Sequence, residues 1–231
     1  MSAIADALES VRGRMAAAAL AAGREPESVR LIAVSKLQPV EAIREAYAAG
    51  QRDFGENYVQ ELQSKAAALA DLPELRWHLI GHLQRNKARH VAPLAHMVHS
   101  IDSVALVAEL GRRVEAVGRP ALPVLVEVNL SGEASKSGCE PAEVGAILEA
   151  IGAQSALIAS GLMTVPPIAA DPREVRPYFE QLAELRRAHA SAQLVELSMG
   201  MTADLEVAVA CGATLVRVGT AIFGSRQRHA P

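Results

Sequence analysis

A lysine closes an apolar run. The segment RLIAVSK (30–36) carries the aliphatic filling of a buried strand and then delivers Lys36. Lysine is among the residues least often buried, because removing its ammonium from water costs several kcal/mol unless it is paired or neutral. An amine at a strand end is a nucleophile once burial or a nearby cation pulls its pKa from about 10.4 toward neutrality. A second set of residues suits an anion. One apolar run ends in Ser198-Met199-Gly200, and another carries Gly219-Thr220 followed by Gly224. Glycine lets backbone amides approach an anion, and serine and threonine add hydroxyl donors with little bulk, so the pair of clusters reads as a phosphate site.

Eight short apolar runs, 30–36, 53–57, 76–81, 97–102, 123–130, 157–165, 194–200 and 215–224, alternate with segments of helical spacing. PVEAIREAYAAG places Pro39 at a first helical position and Gly50 at the stop, and DSVALVAELGRRVEAVG closes on Gly118. Ahead of them, AIADALESVRGRMAAAALAAG reads as a leading helix ending at Gly23. Continuous apolar strands in βα alternation predict a (β/α)8 barrel over residues 1–231 as one domain with an extra N-terminal helix. An open doubly wound sheet is the alternative, and no G-x-G-x-x-G follows the first strand. In a barrel the chemistry lies at the carboxyl ends of the strands. The polar clusters gather there: Lys36, FGENY, HLIGHLQRNK, HSIDS, NLSGEASKSG, GLMTV, SMGMT and RVGTAIFG. A short polar tail, SRQRHAP, follows.

Composition narrows the partners. A formal net charge of −3 offers no general attraction to nucleic acid or an anionic membrane. No apolar run approaches the roughly 20 residues of a membrane span, and no signal-type leader is evident. Cys139 and Cys211 form no CxxC or metal spacing and read as reduced thiols, so the expected location is the cytoplasm. His78 and His82 stand four apart, but the intervening residues belong to a strand and its end, and no metal is expected.

A lysine with a phosphate site is the minimal equipment for pyridoxal 5′-phosphate, whose aldehyde condenses with the amine while its phosphate anchors the ring. A Schiff-base aldolase acting on a phosphorylated sugar would use the same two features, and these residues alone leave both open.

The motifs AVSK with a following proline, FGENYVQEL, WHLIGHLQRNK, SIDS, VNLSGEASKSG, GLMT and LSMGMTADLEVAVACGATLVRVGTAIFG resemble the pyridoxal phosphate homeostasis protein family, in order from about Leu31 to Gly224. The resemblance implies the barrel of the alanine racemase N-terminal domain and a Schiff base on Lys36. It also implies phosphate contacts from Ser198, Gly219 and Thr220, with Met199 and Gly200 in the same cluster, an Arg217 guanidinium near the pyridine nitrogen, and Asn57 lining the ring. Lys136 matches a second family lysine assigned to cofactor exchange. Where the family often has threonine and lysine after the Schiff-base position, this chain has Leu37-Gln38. Around the site, His82 reads as a rim residue, and Met163, Met199 and Met201 as fillers of irregular space. The bland reading of Arg217 is a structural pairing with Glu127 or Glu196.

Two functions follow from that resemblance. One is a non-catalytic carrier that holds pyridoxal phosphate and supplies or buffers it for apo-enzymes. The other is an amino-acid racemase of weak activity, which needs a second base, by resemblance a tyrosine from an added β domain. The chain runs only a few residues past Gly224, and of Tyr47, Tyr58 and Tyr178 only Tyr58 follows a strand end. The expectation is a carrier, and a monomer.

Overall fold

The computed structural model describes residues 2–133 and 136–224. The polar tail and part of the SGEASKSG cluster lie outside the described residues. Eight parallel strands close into a barrel in sequence order. They are β1 (Arg30–Val34), β2 (Asp53–Glu56), β3 (Arg76–Leu79), β4 (Ala95–Ile101), β5 (Leu122–Glu127), β6 (Leu157–Met163), β7 (Glu196–Ser198) and β8 (Leu215–Val218). Closure runs through β1 and β8, where Ile32 pairs with Arg217 and Ala33 with Val218.

The helices are α1 (Ala3–Ala21), α2 (Val40–Ala48), α3 (Val59–Ala68), α4 (Ala88–Val91), α5 (Val104–Val117), α6 (Val144–Gly152), α7 (Arg176–Ala188), α8 (Leu205–Ala210) and α9 (Thr220–Phe223). Among the described residues no helix is long and apolar enough to cross a membrane. The last two helices are short and cover little of the sheet. α1 fills that gap, packing on α8, α9 and α2 with Leu8, Val11, Met15 and Ala19 buried along one stripe. Arg14 of α1 ties it to Glu206 of α8 at 2.7 Å.

Every apolar run except 97–102 is shorter as a strand than the sequence pattern suggests, and two are cut to half or less. β7 stops at Ser198 because Gly200 takes a φ of +94°, which bends the chain out of the sheet. β8 stops at Val218, and the residues from Thr220 to Phe223 wind into α9.

Strand residues alternate between two cores. Outward residues such as Phe54, Leu79, Val98, Val124, Leu162 and Val216 join the helices in one continuous layer. Inward, Ile32, Met97, Leu125, Met163 and Leu215 form a small separate cluster on the barrel axis. The next inward residues toward the carboxyl end are polar: His99 follows Met97, Glu127 follows Leu125, and Arg217 follows Leu215, each by two positions. The strand period thus places a layer of ionisable side chains directly beneath the barrel mouth.

Candidate functional site

A cavity of about 340 Å³ opens at the carboxyl ends of the strands. Its lining comes from six strands or the segments that follow them: Val34 of β1 and Lys36 after it, Asn57 after β2, Ile80 after β3, Val165 after β6, Met201, Thr202 and Ala203 after β7, and Arg217 of β8 with Gly219 and Thr220 where α9 begins. Six of the residues singled out in the sequence, Lys36, Asn57, Met201, Arg217, Gly219 and Thr220, are therefore brought to one space. Asn57 Oδ1 is buried without a hydrogen-bond partner.

The segment carrying Lys36 is held from behind by a buried ionic cluster. Lys65 of α3 donates to Glu56 Oε1 at 2.8 Å, to Glu61 Oε2 at 2.7 Å and to the Ser35 carbonyl at 2.7 Å. Ser35 Oγ donates to the same Glu56 oxygen at 2.7 Å. Glu61 also accepts from the Leu37 amide at 2.7 Å, and Leu37 takes a φ of +60°. A left-handed leucine is strained, so the flanks of Lys36 keep their shape because this network over-determines it. Burial raises the pKa of Glu56, with Lys65 pulling it back.

Arg217 is buried inside the barrel, at the floor of the cavity. Its guanidinium donates to Ser198 Oγ at 2.6 Å and to the Thr164 carbonyl at 2.9 Å. From Ser198 a chain of hydrogen bonds runs down the barrel axis: to His99 Nδ1 at 2.9 Å, from His99 Nε2 to His78 Nδ1 at 2.9 Å, and from His78 Nε2 to Asp53 Oδ1 at 2.9 Å. Arg76 closes it on Asp53 Oδ2 at 2.6 Å. The proton positions follow from the ends. Arginine only donates, so Ser198 accepts from Arg217 and gives its own proton to His99; each imidazole then accepts at Nδ1 and donates at Nε2.

Burial lowers the pKa of both histidines, His99 to well below its ordinary value with His78 and Arg217 adding repulsion, and His78 less, because Asp53 opposes the effect. For Asp53 burial works upward, but the bonds from His78 and Arg76 outweigh it and hold the carboxyl below the usual range. Burial lowers Arg217 to about 10, which leaves it charged at neutral pH. Burial pushes Glu127 up to about 7 against the pull of Arg217, and its Oε2 has no partner.

The remaining sequence candidates sit apart from the cavity surface. Ser198 is fully buried with its hydroxyl spent on His99 and Arg217, Met163 packs in the axial cluster, and the Met199 side chain packs in the outer layer rather than around the site. Strand parity explains Met199: it stands one residue past inward-facing Ser198 and faces the helices. Gly200 lies under the mouth, its carbonyl accepting from the Arg217 amide at 2.9 Å. Arg217 has no direct bond to Glu127 or Glu196; Glu196 lies 3.6 Å from Arg30 and accepts from Thr214. His82 is exposed on the rim, 3.2 Å from Asp102, and with Lys87 and Tyr58 lines a side cavity of about 220 Å³ that shares Asn57 with the main one. Lys136, in the loop after β5, has its Nζ buried 3.1 Å from Glu133, without hydrogen-bond geometry.

Sequence reasoning passed over Val34, Ile80 and Val165, which look like ordinary strand residues, and Thr202 and Ala203, although Thr202 closes the SMGMT cluster. Lys65 and Glu61 were also missed. Their spacing of four on a helix reads as a solvated pair, and only the fold turns them beneath Lys36.

The chain matches the family model described as alanine racemase, N-terminal domain, over residues 8–227. The pyridoxal phosphate homeostasis protein of Pseudomonas aeruginosa is 48% identical over 231 residues, covering 100% of this chain and 99% of that protein. The solved structure of PipY from Synechococcus elongatus PCC7942 with PLP bound is 43% identical, with a TM-score of 0.83 over 96% of this chain and 100% of that one. Alanine racemase from Corynebacterium glutamicum, at 18% identity and a TM-score of 0.68 over 97% of this chain and 64% of that one, shares the fold. Matched end to end at this identity and by a family model over most of its length, the chain belongs to the pyridoxal phosphate homeostasis protein family.

Proposed function

We propose that this protein holds pyridoxal 5′-phosphate reversibly as a Schiff base on Lys36 and supplies or buffers it for apo-enzymes in the cytoplasm, as a monomer and without turnover of its own. The observation that carries the reading is the convergence of Lys36, Asn57, Arg217, Gly219 and Thr220 on one cavity. The bound group would supply an aldehyde, a phosphate and a pyridine ring. Lys36 offers the amine, and the turn from Gly219 to Thr220 offers amide and hydroxyl donors to a phosphate. The buried, unpartnered Asn57 Oδ1 is a polar atom awaiting a donor, which fits a polar ligand.

Arg217 supports the carrier over the enzyme. A charged guanidinium toward a pyridine nitrogen disfavours protonation there and keeps the ring a poor electron sink, which suits storage over carbanion chemistry. Its chain to Asp53 ends in groups that fix it in place and leave it its charge. A racemase also needs a second base. Tyr47 stacks under Arg52 at 3.9 Å, Tyr178 lies on α7, and Tyr58 is half exposed in the side cavity. Tyr58 is the residue through which weak activity would run.

The test is the visible absorption spectrum of the protein incubated with pyridoxal phosphate, in wild type and Lys36→Ala, followed by borohydride reduction, peptide mapping and an amino-acid racemisation assay. A band lost in the variant, an adduct on Lys36 and no racemisation are expected. Absence of both band and adduct would overturn the reading, and racemisation abolished by Tyr58→Phe would replace the carrier with an enzyme.

A further inference from the structure

At the opposite end of the barrel, the amino ends of β1, β2 and β3 and the facing side of α1 enclose a separate cavity of about 330 Å³. Arg12, Arg30, Arg52 and Arg76 line it, against Asp53 and Glu27 as the carboxylates of the lining. Carboxylates stand among them: Asp53 pairs with Arg76 at 2.6 Å, Glu74 with Arg52 at 2.9 Å, and Glu196 lies 3.6 Å from Arg30.

The four guanidinium groups are unequally committed. Arg52 is satisfied: it donates to Glu74 at 2.9 Å and to the carbonyls of Tyr47 and Gln51 at 2.8 and 3.0 Å, and it stacks on the Tyr47 ring. Arg12 donates to neutral oxygens, the Ala49 carbonyl at 3.2 Å and Gln51 Oε1 at 3.1 Å. Arg30 comes no closer than 3.6 Å to Glu196. Arg76 holds one oxygen of Asp53, and its Nε is buried with no partner, a rare state for a donor. The other Asp53 oxygen is already taken from inside the barrel by His78.

Three arginines from three elements thus face one space with donors to spare, and both oxygens of Asp53 are already engaged, one by Arg76 and one by His78. Guanidinium groups gathered on one side of a cleft raise the local potential for an anion. The guanidinium fork matches carboxylate and phosphate oxygens two at a time. We propose that this cavity is a binding site for a small multivalent oxyanion, a phosphate- or carboxylate-bearing metabolite, separate from the cavity that holds Lys36. Asp53 borders the site and also ends the hydrogen-bonded chain from Arg217, so the two cavities share one network.

The test is calorimetric titration of the full chain with inorganic phosphate and, separately, with citrate, at an ionic strength held constant with sodium chloride. Thermal unfolding is measured alongside. Wild type shows a saturable event and a rising midpoint with at least one anion; Arg12→Gln/Arg30→Gln weakens it tenfold or more, and Lys36→Ala retains it. Binding of phosphate alone or of citrate alone assigns the class of oxyanion. If the double glutamine variant is not folded in chloride, Arg12→Lys/Arg30→Lys, which keeps the charge and removes the forks, is measured in its place and shows at least a threefold loss. No saturable binding of either anion, equal affinity in the arginine variants, or loss in Lys36→Ala overturns the proposal. The readout needs no pyridoxal phosphate, so it stands or falls apart from the cofactor reading.

Discussion

Removing the Lys65 ammonium, as in Lys65→Met, tests whether the ionic cluster behind Lys36 holds up the site. Lys65 has 8% of its side chain exposed and Glu56 none, so the substitution leaves a carboxyl inside the protein without its cation. Breaking one partner of a buried pair costs about 3–5 kcal/mol. Glu56 can limit that loss by taking a proton, and Glu61 is partly solvated, so about 3 kcal/mol is expected at pH 8. For a domain of this size that lowers the unfolding midpoint by roughly 6–12 °C. The pH dependence supplies the sign. The pKa of Glu56 already lies above its ordinary 4.5 in the folded state, and losing Lys65 raises it further. Between the unfolded and folded values the folded state binds the extra proton, so stability falls as pH rises. The deficit is therefore large at pH 8 and small at pH 5, and Lys65→Met/Glu56→Gln recovers most of it. Scanning calorimetry at the two pH values reads all three proteins. A deficit independent of pH, or no recovery in the double variant, would refute the ionic account and reduce Lys65 to packing.

The other expectations concern the barrel interior and the mouth. Glu127 titrates near 4.5 when unfolded and about 7 when folded, so it favours folding at low pH and loses that advantage as pH rises through the window. At about 1.4 kcal/mol per pH unit, Glu127→Gln should be more stable than wild type by about 3 kcal/mol at pH 8 relative to pH 5, read by urea denaturation; parallel stability curves would count against it. Ser198→Ala strips partners from Arg217 and His99 in a dry interior and should cost about 2–4 kcal/mol; an unchanged urea midpoint would mean that water or rearrangement satisfies both. In Gly81→Ala the new Cβ would stand 2.3 Å from the Asn57 carbonyl oxygen, so Asn57 must move. A stability loss of about 1–3 kcal/mol and at least tenfold weaker pyridoxal phosphate binding by absorbance titration should follow, and unaltered binding would remove Asn57 from the site.

How far the sequence reached depended on the range of the interaction. β1 and α5 were legible because an unbroken apolar run and a helical period ended by glycine are properties of a few neighbouring residues. Lys36, Asn57, Gly219 and Thr220 were legible as strand-end residues, since a barrel gathers the ends of its strands whatever the loops contain. Leu37 was not. Its positive φ is imposed by Glu61, more than twenty residues on, and nothing in Ser-Lys-Leu-Gln announces it.

The chain by itself determined the alternation that makes a barrel, the two-residue strand period that sets Arg217 above Leu215, and the motifs that carry the family. Those are local, and they survive in any single sequence read with a ruler of two or 3.6 residues. Only the closed sheet decided that His99 meets Ser198 across ninety-nine positions, that Arg12, Arg30 and Arg76 share one cavity, and that Met199 turns its back on the site. Such contacts depend on which strands become neighbours and in what register, and closure supplies that by bringing β8 back to β1.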